Sequence, residues 1–214
     1  MSNRLALDHL VYGVPDLTDS MNEFKQRLGR TPRLGGKHEG LGTHNAILPL
    51  AGERYVELIA SDPDSPTPKQ ARPFGLDTLD SPRLITWAVR SRSIEVDVGH
   101  ARASGFDPGP IIDMSRRSPE GELLEWKLTL QTTPFGNGLV PFVIDWGNTP
   151  HPAASAADKD EDGPVLAEFL ATHPDPSPIA AALAALGIEL RVESGPESCL
   201  SAKLVGHAGD FILR

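Results

Sequence analysis

The sequence repeats one order of secondary-structure patterns, and this repeat constrains the fold more than any single residue does. Leu5–Val14 alternates and carries β-branched and aromatic residues, which predicts a strand. An amphipathic helix pattern follows and ends at Gly29, and further strand patterns come after it. The same order returns from Leu84 and, in a shorter form, from Val165. The repeat predicts three β-α-β-β-β units, at residues 5–60, 83–147 and 164–213.

Two linkers separate these predicted units. Residues 61–82 contain five prolines, which predicts a loop with little regular structure. Residues 148–163 carry the charge run Asp158–Asp162, which predicts a solvated surface loop. A role in repelling anions is the alternative for this run. The many turns implied by 20 glycines and 20 prolines favour a β-rich chain over a helical bundle.

Composition narrows the classes of partner and location. The chain of 214 residues has 29 acidic and 20 basic side chains, for a formal net charge of −9. This balance argues against nucleic acids and anionic membranes as partners, since both need basic patches. The longest apolar run has 8 residues, against about 20 for a membrane span, and we expect no signal peptide. Cys199, the single cysteine, cannot form an internal disulfide, which predicts a cytoplasmic location. No sequence feature near Cys199 indicates an activated thiol, so we do not expect it to act as a nucleophile.

His9 and Glu57 each lie within an otherwise apolar strand pattern. Burying a carboxylate alone costs several kcal/mol, so Glu57 needs a cation, a metal or a hydrogen-bond partner. A histidine from the same unit is a natural partner, because imidazole nitrogen and carboxylate oxygen both suit a divalent ion. The alternative is that Glu57 faces solvent on a one-sided sheet and His9 is a satisfied core residue.

Asp145 occupies the matching place at the end of the last strand pattern of the second unit. Alternation turns it away from Phe142, Ile144 and Trp146. It is either a functional carboxylate or an acid that caps the turn at Gly147.

Further candidates lie in loops and at strand ends. In the glycine-containing stretch His38–Asn45, His44 is a candidate metal ligand, base or hydrogen-bond donor, and Asn45 follows it into a strand. The alternative is a turn whose polar groups satisfy one another. Arg116 could bind a carboxylate or phosphate of a substrate, or simply be exposed. His151 could close over a site or lie in a surface loop, and Trp126 is either a packing residue or part of a cleft wall.

In their order along the chain, these residues resemble the vicinal-oxygen-chelate superfamily, also called glyoxalase/bleomycin-resistance/extradiol-dioxygenase. Leu7–Tyr12 and Tyr55–Ile59 are similar to the signature of its first module. Gly42–Asn45, Met114–Arg116 and Pro141–Gly147, together with the strand around Trp126, resemble the narrower group of glyoxalase-like domain proteins. The resemblance covers about residues 5–152.

The resemblance implies an α+β fold in which paired βαβββ modules form curved mixed sheets around a cleft, with the third, smaller βαβββ-like unit at the C-terminus. It implies a divalent ion (Zn, Ni, Mn or Fe) held by His9, Glu57 and Asp145. The fourth position falls near Thr86 or Trp87, and neither is a usual ligand. Glu57 or His44 would move the proton, and His44, Asn45, Arg116, Trp126 and His151 would contact the substrate.

Three functions follow as hypotheses. The first is a metal-dependent isomerase, lyase or dioxygenase acting on a small oxygenated metabolite that chelates the ion through two oxygens. The second is a non-catalytic protein that sequesters a small molecule, as the bleomycin-resistance members do. The third is a metal-free interaction module. The resemblance leaves a homodimer open, because modules in this superfamily pair within a chain or between chains.

Overall fold

We describe a computed structural model in which residues 5–38, 40–118, 121–131, 134–154 and 163–214 are defined. The predicted solvated loop at 158–162 lies outside the described residues. None of the helices in these ranges has the length and apolar character that crossing a membrane requires.

Two four-stranded halves make up the larger part of the molecule. The first half consists of β1 (Ala6–Gly13), β2 (Arg33–His38), β3 (Thr43–Leu50) and β4 (Arg54–Ser61). The second consists of β5 (Arg83–Arg90), β6 (Ile111–Arg117), β7 (Leu123–Thr129) and β8 (Phe142–Asp145). In each half the first strand pairs with the last in parallel and the other neighbours are antiparallel.

The eight strands close into one barrel in the order β1-β4-β3-β2-β6-β7-β8-β5. The halves join through a long antiparallel pairing of β1 with β5 and a short one at Lys37 opposite Arg117. An eight-stranded barrel has an interior just wide enough for side chains or one small ligand. The predicted cleft is therefore the inside of this barrel.

In the described ranges, three α-helices cover the outside of the sheets, namely α1 (Leu17–Leu28), α2 (Ile94–Ala103) and α3 (Pro176–Ala185). The carboxylate of Asp16 caps α1 by accepting the N–H of Asp19 at 2.8 Å. Gly29 ends α1 with a φ of +75°, which glycine adopts without steric cost. The end of the helix at Gly29 is as the sequence predicts.

The C-terminal unit is a separate sheet of β9 (Val165–His173), β10 (Arg191–Ser194), β11 (Cys199–Gly206) and β12 (Gly209–Leu213), in the order β10-β9-β11-β12. It packs on the outside of the barrel. Phe211 meets Phe24 of α1 edge-on at 5.1 Å between ring centroids, and Phe169 meets Trp87 of β5 at 5.0 Å. The predicted α+β class, with curved mixed sheets and a smaller third unit, is confirmed. The division into three units and two linkers stays a prediction.

The glycine-containing stretch after α1 is more regular than the sequence predicts. Gly35 and Gly36 lie before the stretch His38–Asn45 and belong to β2. A Cβ at Gly36 would lie 2.3 Å from the carbonyl oxygen of Arg117, so only glycine lets β2 come this close to β6. The glycines thus serve closure of the barrel.

Two glycine substitutions test how the C-terminal sheet packs on α1. A Cβ at Gly206 would lie 2.5 Å from the carbonyl oxygen of Leu28, whereas Gly99 in α2 has open space around it. We expect Gly206→Ala to lower the free energy of unfolding by about 1–3 kcal/mol. We expect the control, Gly99→Ala, to raise it by about 0.5–1 kcal/mol, because alanine loses less backbone entropy in a helix. Urea unfolding measures both, and equal effects would contradict the packing.

Candidate active site

The barrel encloses a cavity of about 170 Å³ whose two sides differ in chemistry. Since side chains alternate along a strand, one face of each strand lines it. The first half supplies mainly polar lining residues, namely His9, His38, Thr43, Asn45, Tyr55 and Glu57. The second half supplies mainly apolar ones, among them Ile112, Met114, Trp126, Leu128, Phe142 and Ile144. A ligand would therefore meet a polar wall and an apolar wall.

A β-bulge in β1 sets the position of His9. The register between β1 and β5 shifts between Leu7 and His9, which leaves Asp8 as an extra residue. Asp8 and His9 are consequently both buried, and the Nδ1 of His9 lies 2.7 Å from Oδ1 of Asp8. Donation of the Nδ1 hydrogen to this carboxylate leaves Nε2 as the free acceptor of the ring. Nε2 lies 3.8 Å from Oε2 of Glu57.

Asp8 is fully buried and is surrounded by donors from distant parts of the chain. Nε of Arg90 lies 2.7 Å from its Oδ2, Nε2 of His151 lies 3.1 Å from the same oxygen, and Nε1 of Trp146 lies 3.3 Å from it. Burial alone would raise the pKa of Asp8, but the hydrogen bonds with His151 and His9 hold that pKa well below its usual range. The Asp8 carboxylate is therefore charged in the folded protein at neutral pH.

Glu57 is fixed by a neighbouring amide. Nδ2 of Asn45 donates to its Oε1 at 2.6 Å, and Nε2 of His38 lies 4.0 Å from the same oxygen. The Nδ1 of His38 lies 3.0 Å from the hydroxyl of Thr43. Burial lowers the pKa of His38, so this imidazole is neutral at neutral pH. Glu57 accordingly has hydrogen-bonding neighbours rather than a close cation.

His44 does not line the cavity, which departs from its predicted role as base and substrate contact. In β3, Thr43 and Asn45 face the cavity, and the residue between them faces the other side of the sheet. The histidine of this stretch that lines the cavity is His38, which sequence reasoning did not select. A strand pattern over β2 would have indicated that His38 faces inward, but the glycines of β2 interrupt that pattern.

Asp145 does not reach the cavity either. Its Oδ2 accepts the N–H of Ile94 at the start of α2 at 3.2 Å, and its Oδ1 accepts the N–H of Gly147 at 2.9 Å. The inward residues of β8 are Phe142 and Ile144. The alternative given from sequence, a carboxylate that caps the turn at Gly147, describes its contacts. The predicted set of His9, Glu57 and Asp145 is therefore not brought together.

The donor set does not fit a metal centre built by the protein. Among the residues that the structure describes, no three His, Cys, Asp or Glu side chains are grouped so that they could hold a metal ion. The inward residues of the paired strands β5 and β8 in the second half are Thr86, Phe142 and Ile144, and none of them is a usual metal ligand. Of the predicted set, His9 and Glu57 alone lie on the cavity wall, and two ligands do not make a metal centre.

The other predicted contacts divide between the cavity and its surroundings. Asn45, Arg116 and Trp126 line the cavity, and their contact with a substrate stays a prediction. His151 lies behind the wall, where it meets Asp8 and packs against Tyr55 at 5.5 Å between ring centroids. It contacts the buried Asp8 carboxylate instead of closing over the site.

Comparison with known proteins identifies the family of this chain. The model of the glyoxalase-like domain family matches residues 7–187, so the chain belongs to this family. The predicted resemblance to the vicinal-oxygen-chelate superfamily is confirmed. No curated protein matches the chain.

Two solved structures illustrate the likeness. A hypothetical protein from Staphylococcus aureus superposes with a TM-score of 0.69 and 13% identity, over 98% of this chain and 99% of that one. Methylmalonyl-CoA epimerase from Mycobacterium tuberculosis aligns with a TM-score of 0.46 and 18% identity, over 72% of this chain and 97% of that one. At such low identity, the first likeness shows the shared fold alone.

The Asp8 network predicts a specific pH dependence of stability. Because folding depresses the pKa of Asp8 below its ordinary value of 3.8, its contribution is complete above that pH and is lost as the pH falls toward the folded pKa. We expect Asp8→Asn to lower the free energy of unfolding at pH 7 by about 3–5 kcal/mol, because Arg90 loses its buried partner. The melting temperature of the variant should also fall less between pH 5 and pH 3 (about the ordinary Asp range) than that of the wild type.

Asp64→Asn is the control for this measurement, since Asp64 is an exposed carboxylate that meets Lys37 at 3.1 Å. We expect it to change stability by less than about 1 kcal/mol. Similar losses in the two variants would contradict a central role for Asp8.

Proposed function

We propose that this protein is an enzyme that binds a small oxygenated molecule inside the barrel and transfers a proton at the His9–Glu57 pair. The observation that carries the proposal is the orientation of His9. Its Nδ1 is held by the buried Asp8 and its Nε2 is directed to Glu57 at 3.8 Å. A carboxylate that orients an imidazole in this way fixes the tautomer whose other nitrogen accepts a proton.

The reaction that suits this pair is proton transfer at a carbon next to a carbonyl group. One member of the pair takes the proton as the C–H bond breaks, and the electron pair moves onto the carbonyl oxygen to give an enolate. The abstracted proton is passed between Nε2 of His9 and the Glu57 carboxylate, which lie 3.8 Å apart, and is returned to the same or a neighbouring carbon as the enolate collapses, which gives an isomerised product. Asn45 keeps the Glu57 carboxylate in place through its hydrogen bond of 2.6 Å, and the apolar wall excludes water.

The metal-dependent isomerase, lyase or dioxygenase predicted from the sequence is the narrower form of this proposal. It keeps His9 and Glu57 on the cavity wall but loses Asp145 to the start of α2. With two ligands in place, the form without a protein-built metal centre has the stronger support. A cytoplasmic location and a homodimer stay predictions.

A second candidate function is non-catalytic binding of a small molecule. The apolar wall formed by Met114, Trp126 and Phe142 favours it, because mostly apolar pockets with a few polar groups are typical of ligand sites. The two candidates share the site and differ only in whether the bound molecule is changed.

Hydrogen exchange of bound compounds separates the two. Small carbonyl compounds that raise the melting temperature are incubated with the protein in heavy water, and loss of their α-proton signal is followed by NMR. We expect exchange with the wild type and a rate at least about 100-fold lower with Glu57→Gln, because the amide cannot take a proton. Binding should persist in the variant, since glutamine preserves the shape of the wall.

Glu125→Gln on the exposed face of β7 is the matched control and should exchange as the wild type does. Exchange that survives chelator treatment supports the metal-free form. Exchange that a chelator abolishes and a divalent ion restores supports the metal-dependent form instead. Compounds that bind without any exchange would support the binding protein and contradict the enzyme.

A further inference from the structure

Among the described residues, one charged side chain in the cavity wall has no ion-pair partner. Arg116 is 5% exposed and lines the cavity from β6. Within the part of the chain that the structure describes, its single hydrogen-bond acceptor is the carbonyl oxygen of Gly35, and no carboxylate lies within ion-pairing distance. The Glu57 carboxylate on the same cavity favours the charged form of Arg116 from beyond ion-pairing distance, and a buried guanidinium without a direct ion pair still gains from a further negative charge beside it.

Two other arginines that are partly buried, Arg90 and Arg72, have carboxylate partners. Nε of Arg90 lies 2.7 Å from Asp8, and Nη1 of Arg72 lies 2.6 Å from Asp77. Burial lowers the pKa of Arg116, but a guanidinium stays protonated in proteins. It therefore brings a full positive charge to the wall of the cavity.

The charges around the cavity limit the anion that fits. Among the described lining residues, Arg116 is the only arginine or lysine, and Glu57 is the only carboxylate. A phosphate dianion would place two negative charges near Glu57 with one cation to balance them. A carboxylate carries a single charge and matches the planar fork of a guanidinium.

The neighbours of Arg116 indicate what the rest of such a molecule contacts. Met114 and Arg116 are two residues apart on the inward face of β6, and Met114 lies opposite Trp126 on β7. An apolar surface thus begins directly beside the guanidinium. A molecule with an anionic end and an apolar body would satisfy both.

We propose that Arg116 binds the carboxylate group of a small monocarboxylate substrate whose apolar part packs against Met114 and Trp126. The inference rests on the proposed function, since it takes the barrel cavity as the binding site. Neutralisation of the carboxylate by Arg116 would also ease removal of a proton from the carbon next to it. In this proposal Arg116 selects the substrate, and His9 and Glu57 transfer the proton.

Two probes of one shape test the assignment, namely 3-phenylpropanoate and its neutral counterpart 3-phenylpropanamide. Their dissociation constants are measured by titration calorimetry, and their location by the indole NMR signal of Trp126. We expect the wild type to bind the carboxylate at least about tenfold more tightly than the amide. Arg116→Gln should abolish this preference, and Arg116→Lys should reduce it, since lysine keeps the charge without the fork.

Arg117→Gln is the control, because Arg117 is exposed and directed away from the cavity. It should leave the preference unchanged. A merely structural Arg116 would weaken both probes equally, so the ratio of the two constants separates the roles even if Arg116→Gln is less stable. Equal binding of both probes by the wild type would overturn the inference and leave the proposed function standing. Failure of both probes to perturb the Trp126 signal would overturn the inference, while exchange of other carbonyl compounds would still sustain the proposed function.

Discussion

The burial of the Asp8 carboxylate is the constraint on which the rest of the site depends. A charged oxygen inside a protein is stable only when donors surround it, and here they come from β1, from β5 and from the segment after β8. Asp8 thereby ties together the first strand of each half of the barrel and the loop that follows the second half. The Asp8 carboxylate that stabilises the closed barrel also fixes the orientation of the His9 ring. The contacts of Asp8 therefore determine both the stability of the barrel and the geometry of the site.

The two halves of the barrel have the same topology but different chemistry on their inner faces. The first half offers His9, Asn45 and Glu57, and the second half offers mainly apolar side chains with Arg116 among them. A symmetrical pair of modules would place equivalent donors on both sides of the cavity. The asymmetry here leaves an incomplete set of metal ligands and a cavity with a polar wall and an apolar wall. Such a cavity suits a small molecule that has both kinds of surface.

Much of the fold could be predicted because its signals are local. Alternation, helix periodicity and the cap at Gly29 place most strands and helices, and their order gives the fold class. The site depends on which face of a strand each side chain occupies, and one residue of error reverses that face. The sequence predicts His44 as a site residue, but its neighbours Thr43 and Asn45 occupy the inward face of β3. The glycines of β2 conceal the strand that brings His38 to the cavity. The contact of Asp145 with the start of α2 and the partners of Asp8 are long-range, and no local pattern reports them.

The seam between β2 and β6 gives one residue a double attachment. These strands face each other at Lys37 and Arg117, and the side chain of Arg116 adds a bond to the backbone of Gly35 across the same seam. One side chain therefore contributes both to the join between the two halves of the barrel and to the cavity surface that a bound molecule would meet.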